Sequence, residues 1–112
     1  MLDHEKLDVY RCALEFLAIA LRLASRPPRG YAAISDQLRR AATAIPLNIA
    51  EATGKVTLAD RAHFHAIARG SAMECGALLD VVRLLGTAEQ VELDAGKELL
   101  FRIVSMLSKM CR

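Results

Sequence analysis

Tryptophan is absent from this 112-residue chain, and aromatic residues make up only 4% of it. A surface that stacks bases or sugars on aromatic rings is therefore hard to build. There are three cysteines, Cys12, Cys75 and Cys111, with no Cys-x-x-Cys pair. An odd count at wide spacing excludes a disulfide framework and a zinc knuckle, and it fits reduced thiols in a cytosol. Three prolines and six glycines fall mostly between periodic segments. No uncharged apolar run approaches the ~18 residues of a membrane span. No basic-then-apolar stretch opens the chain. The sequence thus reads as a soluble cytoplasmic protein with no membrane partner.

Strong charge is missing too. The formal net charge is +2, too small to imply a polyanionic partner by itself. Its distribution is uneven. Arg22, Arg26, Arg29, Arg39 and Arg40 face one acid, Asp36, in the stretch they span. That stretch carries a local excess of four positive charges, and the remainder is negative by two.

What is abundant is apolar and aliphatic: 54% of the chain is hydrophobic. Alanine and leucine lose little side-chain freedom in a helix. The length fits one domain, residues 1–112, with a modest core. Periodicity predicts four helices. The first runs from near Lys6 to Ser25, with Leu7, Tyr10, Leu14, Leu17, Leu21 and Ala24 on its core face. Arg26-Pro27-Pro28-Arg29-Gly30 stops it. The second runs from Ala32 or Ala33 to Thr53, with Ile34, Leu38, Ala41, Ala42, Ile45, Ile49 and Ala52 inward. Pro46 lies inside it and predicts a kink, not a break, because the apolar period continues. Gly54 ends it.

The third helix starts after Thr57, with Asp60 placed for a capping box. Its predicted stripe is Phe64, Ile67, Ala68, Ser71, Cys75, Leu78, Leu79, Val82 and Leu85, and Gly86 ends it. Thr87 with Gln90 predicts the cap of a fourth helix, which carries Leu93, Gly96, Leu100, Ile103, Leu107 and Met110 inward. Short connections between long helices predict an all-α, antiparallel up-down-up-down four-helix bundle.

Apolar surface is left over. On the first helix Val9, Ala13, Phe16, Ala20 and Leu23 form a second stripe. On the third, Ala66, Gly70, Met73 and Ala77 lie away from the main one. This surplus predicts a homo-oligomer.

The usual carriers of chemistry do not assemble. No Glu-x-x-His pair suits a metal site inside a bundle. His63 and His65 are two apart and point to different faces. Cys12 and Cys75 sit in apolar runs, without the electropositive setting of a nucleophile. Glycine-rich phosphate loops are lacking. The reading is a non-enzyme with no catalytic residue, cofactor or metal. The densest polar constellation is on the second helix: Gln37, Arg39, Arg40, Asn48, Glu51 and, just past its end, Lys55. Arg40 and Glu51, eleven residues apart, share a face. Asn48 is suited to support the backbone that Pro46 loosens, and Glu51 to pair with an arginine of another helix or subunit.

The run Gln37-Leu38-Arg39-Arg40-Ala41-Ala42-Thr43-Ala44-Ile45-Pro46-Leu47-Asn48-Ile49-Ala50-Glu51 resembles the signature of a bacterial family. These are the four-helix-bundle proteins encoded in intervening sequences of 23S ribosomal RNA genes. Phe64, Ile67-Ala68-Arg69-Gly70-Ser71 with Glu74, and the opening Leu7-Asp8-Val9-Tyr10 also look like that family. Ala52 stands where glycine is usual, and Ala44 where serine is frequent. The family is similar to the accessory variability determinant of diversity-generating retroelements, a pentameric, strongly basic barrel that binds nucleic acid and its reverse transcriptase. The resemblance implies a homo-oligomer, a pentamer in that analogy, that binds RNA or DNA. Backbone electrostatics would act through Arg26, Arg29, Arg39, Arg40 and Lys55, with Pro46, Asn48 and Glu51 as structural motif residues. The alternative is a protein–protein scaffold or accessory subunit that binds no nucleic acid.

Overall fold

A computed structural model describes residues 1–111, without the side chain of Lys6. Among the described residues there are four α-helices, one short 3-10 helix at Asp3–Lys6 and no strand. The helices are α1 (Asp8–Ala24), α2 (Ala32–Thr53), α3 (Leu58–Leu85) and α4 (Gln90–Met110). They pack in a ring: α1 lies beside α2 and α4, α3 lies beside α2 and α4, and the backbones of the diagonal pairs stay apart. The molecule measures 45 × 25 × 23 Å. None of the helices is long and apolar enough to cross a membrane.

The helix boundaries follow local chemistry. α1 gives way to Pro27 and Pro28, and the intervening turn carries Gly30 at φ 89°. At the start of α3 the Thr57 hydroxyl accepts from the Asp60 backbone N–H at 3.1 Å, satisfying one of the orphan donors of the first turn. Gly86 ends α3 at φ 72°, a left-handed position that a Cβ would strain. α2 runs unbroken through Pro46, which is buried. The predicted Thr87 cap of α4 does not form. The helix begins at Gln90 behind Glu89, which makes no side-chain cap, and the Gln90 amide instead donates to Asp94.

One buried cluster joins all four helices around Phe16, Leu38, Ile45, Ile49, Leu79, Ile103 and Leu107. Gly96 of α4 is buried against it. A Cβ there would lie 3.0 Å from Leu79 Cδ1, with Phe16 and Ile19 just behind.

Two stripes differ from the prediction. On α1 the buried residues are Val9, Cys12, Ala13, Phe16, Ile19, Ala20 and Ala24. Leu14 and Leu21 are 43% and 47% exposed. The stripe read as surplus therefore supplies most of the α1 core; of the stripe read as core, Ala24 is buried, Leu7, Tyr10 and Leu17 pack partly buried against it, and Leu14 and Leu21 face outward. The alanines of the buried stripe let neighbouring helices come close, whereas leucines there would hold them apart. On α3, His65 and Ala72 are buried where Phe64, Ile67 and Ser71 were expected, and Ile67 is exposed. On α1 the buried stripe is displaced from the predicted one by about one residue, some 100° on a helix; on α3 the difference is confined to the first half, and Ala68, Cys75, Leu78, Leu79 and Val82 are buried as expected.

Candidate nucleic-acid interface

The five candidate cations separate into two groups. Arg26 and Arg29 lie exposed in the turn after α1, and Arg40 is exposed on the outward face of α2. None of these three forms an ion pair among the described residues. Arg26 borders a cleft between the two turns at this end of the molecule, which Arg22, Glu89 and Glu92 also line. Arg22 donates to Glu92 at 2.9 Å, tying α1 to α4.

Arg39 is differently placed. Its Nη1 donates to Asp36 and its Nη2 to the Ala24 carbonyl, both at 2.8 Å. That carbonyl is one of the last on α1, left without an intrahelical donor. The guanidinium thus closes the end of α1 from α2. Lys55 lies past the other end of α2, fifteen residues beyond Arg40 and roughly 22 Å along the axis. Its ammonium pairs with Glu51 at 3.0 Å and sits 5.0 Å from the centre of the Phe64 ring. The structure does not bring Lys55 together with the arginines.

The motif residues have local partners. Pro46 supplies no N–H, so the Ala42 carbonyl loses its helical donor. Asn48 does not replace it: its Nδ2 donates at 2.8 Å to Ala44, a carbonyl within reach of its own turn. Glu51 pairs with Lys55 and not with an arginine of another helix. The Arg61 guanidinium donates to the Lys55 carbonyl at 2.8 Å and fastens the same turn.

The sequence reading missed several polar contacts. Arg69 Nε donates to Ser108 Oγ at 2.8 Å, and Lys97 bridges Asp80 at 2.6 Å, both between α3 and α4. The Lys97 ammonium holds the Asp80 carboxyl below its ordinary range. His65 Nδ1 donates to the Met110 carbonyl at 3.3 Å, while its Nε2 is buried without a partner. Burial lowers the His65 pKa, with a smaller opposing contribution from that hydrogen bond. Burial pushes the Cys75 thiol up to about 12, which leaves almost no thiolate near neutrality. Such pairings depend on interhelical register, which periodicity within one helix does not carry. Among the described residues no three His, Cys, Asp or Glu side chains gather as a metal site.

Fold and surface together define a class: a helical bundle whose arginines are divided between structural clamps and free surface cations. The family model of 23S rRNA-intervening sequence proteins matches residues 5–109. The chain belongs to this family, and the expected resemblance holds over nearly its whole length. No curated protein matches it.

Proposed function

We propose that this protein is a non-enzymatic, cytoplasmic homo-oligomer that binds nucleic acid through phosphate contacts. The observation that carries this reading is a set of exposed arginines that form no ion pair among the described residues: Arg26 and Arg29 in the turn after α1, and Arg40 two turns into α2. Free guanidiniums are suited to phosphate oxygens because they present a planar fork of donors. One copy offers few such contacts, and a symmetric assembly repeats them on a single polyanion, which raises the apparent affinity. A pentamer is the assembly the family analogy suggests. The family takes its name from 23S ribosomal RNA intervening sequences, which makes structured RNA the first ligand to try.

The bundle in this reading is antiparallel, up-down-up-down, with α2 kinked at Pro46. Support comes from contacts that run in opposite order along α3 and α4: Arg69 with Ser108, then Asp80 with Lys97. Arg22 near the end of α1 meets Glu92 near the start of α4 in the same sense. The kink is favoured by the donor that Pro46 lacks.

Fluorescence anisotropy tests the binding. Labelled structured RNA and duplex DNA are titrated with wild type and with the triple variant Arg26→Glu/Arg29→Glu/Arg40→Glu, with mass measured on the same samples. Binding by wild type that the variant loses at unchanged mass supports the reading. Equal binding by both, or none by wild type at low salt, contradicts it. A second reading is a protein-binding scaffold without nucleic acid, favoured by Phe101, 75% exposed on α4. A stoichiometric, nuclease-insensitive protein partner would support that instead.

A further inference from the structure

We infer that Tyr31, in the turn that joins α1 to α2, stacks on an unpaired base of the bound nucleic acid, with Arg26 and Arg29 on the phosphates beside it. This rests on the phosphate-binding reading and adds the class of target: strands interrupted by unpaired bases, in preference to continuous duplex.

The chain has two tyrosines and three phenylalanines, so the place of each ring is informative. Phe16 is fully buried. Tyr10 is partly buried and stands edge-on to His4, with ring centres 4.8 Å apart. Phe64 has His63 edge-on at 5.3 Å and the Lys55 ammonium over its ring. Phe101 is exposed on α4, a helix outside the candidate surface. Tyr31 is 46% exposed. Among the described residues neither its ring nor its hydroxyl has a partner. It shares a segment with two free cations, two residues after Arg29 and five after Arg26. Tyr31 also holds the N-cap position of α2, where its side chain accepts no hydrogen bond. Serine, threonine, asparagine or aspartate would serve the helix better there. Helix chemistry therefore does not account for a tyrosine at this position.

The backbone that carries the ring is already fixed. The Tyr31 N–H donates to the Pro28 carbonyl at 3.0 Å, closing a four-residue turn. Gly30 takes its third position at φ 89°, and Arg29 before it has no positive φ, which is the type II arrangement. Beyond the turn, the Ile34 N–H donates to the Tyr31 carbonyl at 3.1 Å and starts α2. At the other end of the loop Arg39 holds the Ala24 carbonyl, and Ser25 donates to the Arg22 carbonyl through both its N–H and its hydroxyl. Pro27 and Pro28 stiffen the middle. Little backbone freedom is left to lose on binding. The two kinds of side chain divide the recognition. A guanidinium grips phosphate oxygens and carries no base information through them. An aromatic face meets the flat side of any base and is tolerant of sequence. Bases inside a duplex are stacked on one another, whereas those in loops and bulges can splay out onto a tyrosine. One free ring flanked by free arginines suits one unpaired nucleotide and its neighbouring phosphates.

Three labelled RNA duplexes of one sequence test this by fluorescence anisotropy. One is fully paired, one has a bulge of unpaired adenines, and one has the same bulge made abasic, which keeps the phosphates and removes the bases. At fixed low salt the wild-type chain is expected to bind the bulged duplex about tenfold more tightly than the other two, the order expected of one base on one ring. Tyr31→Leu should bring the bulged duplex down to the level of the abasic one and leave the paired duplex unchanged. Tyr31→Phe should keep the preference. In a Tyr10→Phe background Tyr31 is the sole tyrosine of a chain without tryptophan, so its emission reports the contact directly. Quenching by the bulged duplex and not by the abasic one is expected. Equal affinity of wild type for the bulged and abasic duplexes, a comparison that needs no variant to fold, would overturn the stacking role and leave the phosphate reading intact. So would a preference that survives Tyr31→Leu. No binding to any of the three probes would overturn both.

Discussion

At the scale of single residues, similar side chains do different work according to what they touch. Arg39 and Arg40 are adjacent in sequence, yet one clamps the Ala24 carbonyl and the other is free. Arg39→Met is expected to destabilise the fold by about 1 kcal/mol, the ordinary worth of a part-exposed hydrogen bond. Arg40→Met should stay within ~0.5 kcal/mol, as substitutions at free surface positions do. Urea unfolding of the two variants checks the contrast. Thr57→Ala removes the side-chain cap of α3 and should cost about 1 kcal/mol by the same measurement. His65 makes stability depend on pH. Its folded-state pKa is lowered from 6.5 by burial, so the unfolded chain takes up a proton more readily than the folded one. The contribution is present above pH 6.5 and is lost as pH falls from there through the depressed native value. Unfolding midpoints at pH 7.5 and 5 should therefore diverge more for wild type than for His65→Leu. The sequence separated His63 from His65 by face. It could not assign His65 to the core, because the acceptor that holds it, Met110, is 45 residues away.

At the scale of helices, the sequence was most informative where one residue type leaves few alternatives. Pro27-Pro28, Thr57 and Gly86 mark ends by their own backbone chemistry, and the structure puts ends there. Thr87 misled because a threonine three residues before a glutamine satisfies a pattern that the turn geometry did not use. The stripes of α1 were ambiguous for a physical reason: apolar residues cover most of its circumference, so a period of 3.6 residues identifies a helix without choosing its inner face. The choice fell to close packing, which favoured Ala13 and Ala20 under the neighbouring helices. Gly96 belongs to the same packing. Gly96→Ala should destabilise despite alanine's better helix propensity, since its Cβ meets Leu79 Cδ1 at 3.0 Å. A loss of ~1 kcal/mol or more is expected from such overpacking, read from the thermal midpoint. Gly76→Ala, with open space around its Cβ, should not destabilise the chain in this way.

At the scale of the whole molecule, the sequence supplied the fold class and the family, because both rest on patterns distributed over nearly the full chain. The candidate surface was legible only in part. Arg26, Arg29 and Arg40 are free, while Arg39 and Lys55 are engaged within the chain. A local charge excess counts residues and says nothing of which ones already hold a carbonyl or a carboxylate. The net charge of +2 further requires that any phosphate binding come from repetition of a small patch, not from a field over the whole molecule. The most direct measurement is the salt dependence of RNA and duplex DNA binding, with the mass of the assembly determined in the same buffers. A linear fall of the logarithm of affinity with the logarithm of salt concentration is expected, and a shallower slope once Arg26, Arg29 and Arg40 are replaced. No binding at low salt by an intact oligomer, or binding indifferent to salt, would contradict the account.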